Sequence, residues 1–306
     1  MALTPDVAAA AAAVNATIGG SSKIDLRGRV LNSVAAAAQR GVAQSTNRVL
    51  MVAPTAFGFN DQAAQDNSFM HKAEKPQEGS PLTRAVLDEF AGLYRQLTDV
   101  AGVQVALYQH HLQHNTPDAV FPNNWFSTHY AGEGGSSRAG SALVLYPMKC
   151  PNRAAERRPE IIDTIQKTGN YSRVIDLSGL ESSAHGGRYF EGTGVLVLDR
   201  VNGVAYVALS ERADVRVAEQ WVDALGYKEL VTFHSHDMRD KAVYHTNVMM
   251  AIGTDVAVVC LESVQDPKER QHLEVRRGTR DGEVGEERGG GSWLWNGWMD
   301  LWRRCN

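Results

Sequence analysis

From Arg48 onward, short apolar runs alternate with amphipathic stretches. Arg48-Val49-Leu50-Met51-Val52-Ala53 is closed by Pro54 and predicts a buried strand. Ser80 and Pro81 supply a helix cap and first turn, and Leu82, Val86, Phe90, Leu93 and Leu97 follow at three- and four-residue steps. That spacing predicts a helix with one core face. Residues 103–107 return to strand. The order then recurs, with a strand at 142–146, a helix from about 157 to 166 and a strand at 173–177. Residues 190–198 and 205–209 read as strands. Asp214 caps a helix carrying Val217, Trp221, Val222 and Leu225, Gly226 stops it, and 229–233 closes that round. A fourth round opens at 243–250, continues through 256–261 and begins a helix near Pro267.

The chain therefore carries a strand–strand–helix–strand repeat with a period of roughly 55–70 residues. Phe121, Phe190 and Tyr244 each stand one residue before a short polar cluster, at equivalent places in successive rounds. Equivalent polar groups in successive repeats point at one shared centre, which is how propeller-like folds build a site. A little over three repeats are complete. Residues 47–272 form the repeat domain. Residues 1–46, with alanine from Ala8 to Ala13, read as a low-complexity extension, flexible or a targeting segment. Residues 273–306 hold Trp293, Trp295, Trp298 and Trp302 and have neither period, so they form an aberrant tail.

Composition narrows the function classes. With 31 Lys plus Arg against 35 Asp plus Glu among 306 residues, the net charge of −4 gives no basic face for nucleic acid. No apolar run approaches the roughly 18 residues of a membrane span. Cys150, Cys260 and Cys305 are too few and too scattered for a disulfide framework, and fit a reducing compartment. The expected location is the cytoplasm, or an organelle if the extension is a transit peptide.

Several residues could carry chemistry. Glu191 lies between Phe190 and Gly192-Thr193-Gly194, where glycines let a ligand approach the backbone; the alternative is a turn acid in water. Those glycines are no dinucleotide fingerprint, because no third glycine arrives and residues 195–198 read as strand. His245 sits in an otherwise apolar strand and could act as acid and base, or simply be a core residue. Asn123 and Asn124 could orient a polar substrate or cap a turn. His110 and His114, with His234 and His236, raise a metal alternative, but no HExxH pattern is present and surface loop histidines are the simpler reading.

Four segments together carry a resemblance: Phe57-Gly58-Phe59-Asn60; Pro117-Asp118-Ala119-Val120-Phe121-Pro122-Asn123-Asn124-Trp125; Phe190-Glu191-Gly192-Thr193-Gly194; and Tyr244-His245-Thr246-Asn247-Val248-Met249-Met250. In this order they resemble the guanidino-group-modifying (pentein) superfamily, in particular the amidinotransferase-like branch with citrulline-utilisation hydrolases, arginine deiminases and dimethylarginine hydrolases. The resemblance implies an α/β fold, a pentein-type propeller of five ββαβ blades, here incomplete at the C-terminus. It implies a cofactor-free, metal-free enzyme in which a cysteine thiolate attacks a guanidinium or ureido carbon. On this sequence, Glu191 matches the substrate-clamping carboxylate and His245 the general acid/base. Asp118, Asn123, Asn124 and Asn247 are the substrate-binding candidates. Asn124 stands where relatives often have an aspartate, and an amide suits a neutral ureido group better than a full cation.

The nucleophile is left open. Cys260 lies in an apolar strand, where burial raises a thiol pKa, and Cys305 lies between Arg304 and Asn306 in an unfamiliar context. Cys150 has no family match. Two readings follow: a hydrolase (or amidinotransferase) on an arginine- or citrulline-like substrate, or a non-catalytic or truncated relative that keeps the pocket without its nucleophile. A metal-dependent hydrolase ranks third. The expected partner is a small guanidino or ureido molecule, with no nucleic acid, no membrane and self-association as a homo-oligomer open.

Overall fold

The repeat read from the apolar pattern is the building unit of the computed structural model, which describes residues 44–67, 81–135, 140–254 and 256–278. In the first round β1 (Arg48–Ala53), α1 (Pro81–Arg95) and β2 (Gln104–Gln109) follow one another, and the two strands pair in parallel with Arg48 opposite Gln104. In the second, β3 (Phe126–His129) runs antiparallel to β4 (Ala142–Leu145); after α2 (Pro159–Gly169), β5 (Arg173–Asp176) adds parallel to β4. The third repeats this pattern with β6 (Val197–Asp199), β7 (Val204–Ala208), α3 (Val215–Leu225) and β8 (Glu229–Phe233). The fourth has antiparallel β9 (Met250–Ile252) and β10 (Ala257–Val259), then α4 (Pro267–Gly278). The fold is thus α/β in four small sheets, with complete ββαβ units in the second and third rounds, fewer than the three expected, and partial ones in the first and fourth; the described strands close no barrel.

Local sequence accounts for most of these elements. All four residues of β4 are buried, so this strand is apolar throughout rather than alternating. The carboxylate of Asp214 accepts the amide of Arg216 at 2.8 Å to start α3, and Gly226 at φ 73° ends it. Between those caps Val217, Ala218, Trp221 and Leu225 turn one buried face to a core with Val144, Phe190, Leu196 and Val207. Each Val, Leu or Phe side chain among them removed from water contributes about 1.5–3 kcal/mol. A second core joins β8 to Met249, Met250 and Val259, and Leu273 of α4 is buried in it.

Four expectations change. Residues 192–195 make a helical turn, and the strand starts only at Val197, because Gly192 adopts φ 46°. His245 lies just before a 3-10 turn rather than within a strand. The face of α1 is only half covered: Leu82, Val86 and Phe90 are half-buried and Leu93 is exposed, the first round offering a sheet of two strands. His110 is buried, not a surface loop residue. The 1–43 part of the expected extension and residues 279–306 of the tail, with their tryptophans and Cys305, lie outside the described residues. Gln44, at the edge of that extension, docks its amide on the carbonyls of Leu198 at 2.6 Å and Ile252 at 3.2 Å. Among the described residues no helix is long and apolar enough to cross a membrane.

Candidate active site

Each later round opens on a short helical turn before its first strand: Pro122–Asn124 before β3, Gly192–Val195 before β6 and Thr246–Val248 before β9. The middle turn packs against the other two. Phe121, Glu191 and His245 occupy the equivalent position just before each turn, so Phe121 aligns with these two rather than, as the sequence pattern suggested, with Phe190 and Tyr244. The hydroxyl of Thr246 donates to the carbonyl of Val195 at 2.6 Å and accepts the amide of Ala208 at 2.8 Å, and Thr193 donates to the carbonyl of Asn123 at 3.2 Å. Side chains far apart in sequence are thereby held at one point.

That point is built on Glu191, which is fully buried. Its Oε2 takes Nε2–H of His245 at 2.8 Å and Nη1–H of Arg212 at 3.2 Å, and its Oε1 takes the amide of Lys149 at 3.1 Å. Asn124, also buried, donates Nδ2–H to Nδ1 of His245 at 3.3 Å. The fit needs glycine: a Cβ at Gly194 would stand 2.4 Å from Asn124 Nδ2 and 2.8 Å from His245 Nδ1. Burial opposes ionisation of Glu191, but the hydrogen bond from His245 and the charges of Arg212 and Arg153 outweigh it and hold the carboxyl well below the usual range. Burial, with Arg212 and Arg153 nearby, pushes the imidazole of His245 down against the pull of Glu191. Both shifts favour a carboxylate beside a neutral imidazole.

Charged groups that the sequence reading did not single out surround this pair. Arg212 is buried under the ring of Tyr244, with its guanidinium carbon 5.2 Å from the ring centroid. Its backbone carbonyl accepts the amide of Glu191 at 3.2 Å, which places it at the centre. Arg153, buried, makes a two-point ion pair with Glu156, Nε to Oε1 at 2.9 Å and Nη2 to Oε2 at 3.0 Å. Burial pushes the carboxyl of Glu156 up to about 7 despite that pair. Asp118 accepts from Asn60 at 2.7 Å, and Asn60 in turn accepts from Asn152 at 2.7 Å. Asn60, in the Phe57–Asn60 motif, was findable from the sequence; Arg153 and Arg212 sit in charged segments that read as surface.

The structure thus brings Asn124, Glu191 and His245 together, while the carboxylate of Asp118 is held by Asn60. Asn123 contributes its backbone carbonyl, whereas Asn247 is exposed on its turn. Among the cysteines, Cys150 is buried at the start of the helical turn Pro151–Ala154 and feels Glu191, Asp66, Arg212 and Arg153. Burial, helped by the two acids, pushes its thiol up to about 11. Cys260, half-buried after β10, is also shifted up by burial. His234 pairs instead with Glu269 at 3.0 Å, and among the described residues no group of three or more His, Cys, Asp or Glu side chains is placed to hold a metal ion.

Comparison with known proteins gives three results. A family model described as N,N-dimethylarginine dimethylhydrolase, eukaryotic, matches residues 53–283. No curated protein matches the chain. Among solved structures the fold is similar to ArgZ, an arginine dihydrolase from the ornithine–ammonia cycle in Cyanobacteria, at TM-score 0.53 and 17% identity over 75% of this chain; this chain spans only 30% of that one. It is similar to the substrate-bound N-terminal domain of ArgZ at TM-score 0.54 and 18% identity, over 76% of this chain and 73% of that one. The likeness to a Pseudomonas aeruginosa dimethylargininase complexed with citrulline has TM-score 0.47 and 16% identity, over 73% of each chain.

Proposed function

This chain belongs to the eukaryotic N,N-dimethylarginine dimethylhydrolase family, and from that premise we propose that it hydrolyses the guanidino or ureido C–N bond of an arginine- or citrulline-like substrate, with N-methylated arginine the first to test. The observation that carries the proposal is the convergence of Glu191, His245 and Asn124 from three successive repeats onto one buried point. In the overall reaction water adds oxygen to the guanidinium carbon, one C–N bond breaks, and the amine leaves as an ammonium ion. Glu191 accepts the substrate's N–H groups, and Asn124 and Asp118 hold the planar group from the neighbouring turn. His245 takes a proton from the attacking group and returns it to the departing nitrogen. A neutral histidine beside an ionised acid suits both halves of that shuttle.

One observation favours a second reading, a binding protein without turnover. Both described thiols are shifted up, so neither is a thiolate near neutral pH. The free cysteines fit a reducing compartment such as the cytoplasm, and the family match supports a small guanidino partner. The two readings separate in one assay of citrulline, ornithine and amine release from arginine, citrulline and dimethylarginine. Turnover in wild type that His245→Ala and Glu191→Gln each lower by about 100-fold or more supports the enzyme. Binding without turnover supports the second reading, and the absence of both overturns the assignment.

A further inference from the structure

Between β4 and the helical turn Pro151–Ala154 runs the segment Tyr146-Pro147-Met148-Lys149, whose backbone polar groups are spent on other parts of the fold. The amide of Tyr146 donates to the carbonyl of Trp125 at 3.0 Å, and the carbonyl of Pro147 accepts the amide of Phe190 at 2.9 Å. The amide of Met148 donates to Oε2 of Glu181 at 2.8 Å, and the next amide, that of Lys149, donates to Oε1 of Glu191 at 3.1 Å. Two consecutive amides are thus met by two carboxylates, one of which belongs to the site. Glu181 ends the 3-10 turn Ser178–Glu181 that follows β5. Its Oε1 takes Nη2–H of Arg157, whose Nη1–H returns to the carbonyl of Tyr146 at 3.0 Å. An ion pair near the surface contributes little by itself. In this one each partner spends a further bond on the same four residues.

We infer that Glu181, braced by Arg157, is a positioning residue for Glu191. The inference rests on Glu191 as the substrate-clamping carboxylate argued above. Oε2 of Glu191 meets His245 and Arg212, and a carboxylate held through one oxygen is free to turn about its last bond. The Lys149 amide on Oε1 fixes that turn, and the Phe190 amide on Pro147 ties the residue before Glu191 to the same segment. The segment is therefore the reference against which Glu191 is aimed, and Glu181 holds the peptide next to the one that aims it. Met148 is buried, so loss of Glu181 leaves its amide to be satisfied by a shift of the segment. A small shift at a clamping group is costly in rate. Glu181 acts through the segment rather than by touching substrate.

Amide hydrogen exchange on the full chain tests this without a substrate. In Glu181→Ala the amides of Lys149 and Phe190 should exchange about tenfold faster or more, while those of Leu143 and Val144 in β4 keep their wild-type rates. Glu181→Gln retains an acceptor for the Met148 amide and should hold Lys149 within about threefold of wild type. Unchanged rates at Lys149 and Phe190 in Glu181→Ala, or one uniform acceleration that includes Leu143 and Val144, would overturn the proposal. Should Glu181→Ala fail to fold, Arg157→Met decides: with the brace gone, Lys149 should exchange about threefold faster or more, and an unchanged rate refutes the assignment. Where wild type turns over arginine, citrulline or dimethylarginine, Glu181→Ala should also lower kcat/KM about tenfold or more, mainly through kcat, and Glu181→Gln should restore it. Wild-type activity in Glu181→Ala overturns the positioning role. Absence of turnover in wild type removes the enzyme reading alone, and the exchange rates still decide the role of Glu181.

Discussion

Replacing Gly194 by alanine tests the site with a single methyl group. The new Cβ would lie 2.4 Å from Asn124 Nδ2 and 2.8 Å from both Cε1 and Nδ1 of His245, where ordinary contact begins at 3.4 Å. Something must give by about 1 Å. The backbone on the other side is fixed by the hydrogen bond from the amide of Gly194 to the carbonyl of Glu191 at 3.0 Å, so the side chains of Asn124 and His245 must move. Overpacking of this kind costs about 1–3 kcal/mol. For a domain of this size, a loss of 1–3 kcal/mol lowers Tm by about 2–12 °C.

The larger effect falls on chemistry. A shift of about 1 Å in a positioned group can cost about 100-fold in rate, and the imidazole is the group displaced. The assay is kcat/KM for citrulline formation together with Tm. Gly92→Ala on α1 is the control: its Cβ meets nothing within 4 Å, and alanine should stabilise the helix by about 0.5–1 kcal/mol without touching activity. If Gly194→Ala kept wild-type kcat/KM and wild-type Tm, the packing of His245 against that turn, and the site built on it, would be wrong.

Two further outcomes concern stability. His110 is buried with Nδ1 on the hydroxyl of Thr116 at 2.7 Å, and burial pushes its imidazole down to about 4. The unfolded chain takes up this proton below about pH 6.5 and the folded chain does not. Stability should therefore fall by up to about 3 kcal/mol as pH drops from 6.5 to 4; His110→Asn should flatten Tm over that range, and an unchanged slope would clear His110 of the effect. Tyr146→Phe strips a hydroxyl that accepts Trp221 Nε1–H at 2.8 Å and bonds Ser127 at 2.6 Å; leaving buried partners unpaired should cost about 1–3 kcal/mol in urea unfolding, and a neutral result would refute that network.

How far the sequence could be read depended on the range over which each signal acts. Strands β1 and β8 run over the residues their apolar runs predict, and α3 starts and stops at Asp214 and Gly226, because those signals act within one turn of chain. Glu191 and His245 were legible because each stands just before the helical turn of its round, whereas Asn124, the last residue of its turn, was reached through its motif alone. Arg212 and Asp66 were not, since the pair spans 146 residues and a buried arginine in Ser210-Glu211-Arg212-Ala213 has the local look of a surface turn. The turn at 192–195 was misread because its residues are apolar enough for a strand; the positive φ of Gly192 decides it. Cys150 was set aside because it matches no family motif, and its charged surroundings are assembled from other rounds.

The chain holds a second buried histidine–glutamate pair, and comparing the two shows what marks a site. His129 Nδ1 lies 2.9 Å from Glu133 Oε1, and its Nε2 lies 2.7 Å from the hydroxyl of Ser127. As at Glu191, burial opposes ionisation of Glu133, and its partners overcome it and bring the carboxyl down to about 2. Burial and a shifted pKa therefore do not separate the pairs. Connectivity does. His129 and Glu133 are four residues apart on one segment, and Arg200 and Tyr227 close over the acid. Glu191 and His245 come from different repeats, 54 residues apart, and only glycine keeps the neighbouring turn clear of them. A fold that needed only stability could replace such a junction of buried charges with apolar side chains at little or no cost. Charge held where three repeats meet, with glycine beside it, is the feature on which the proposed site rests.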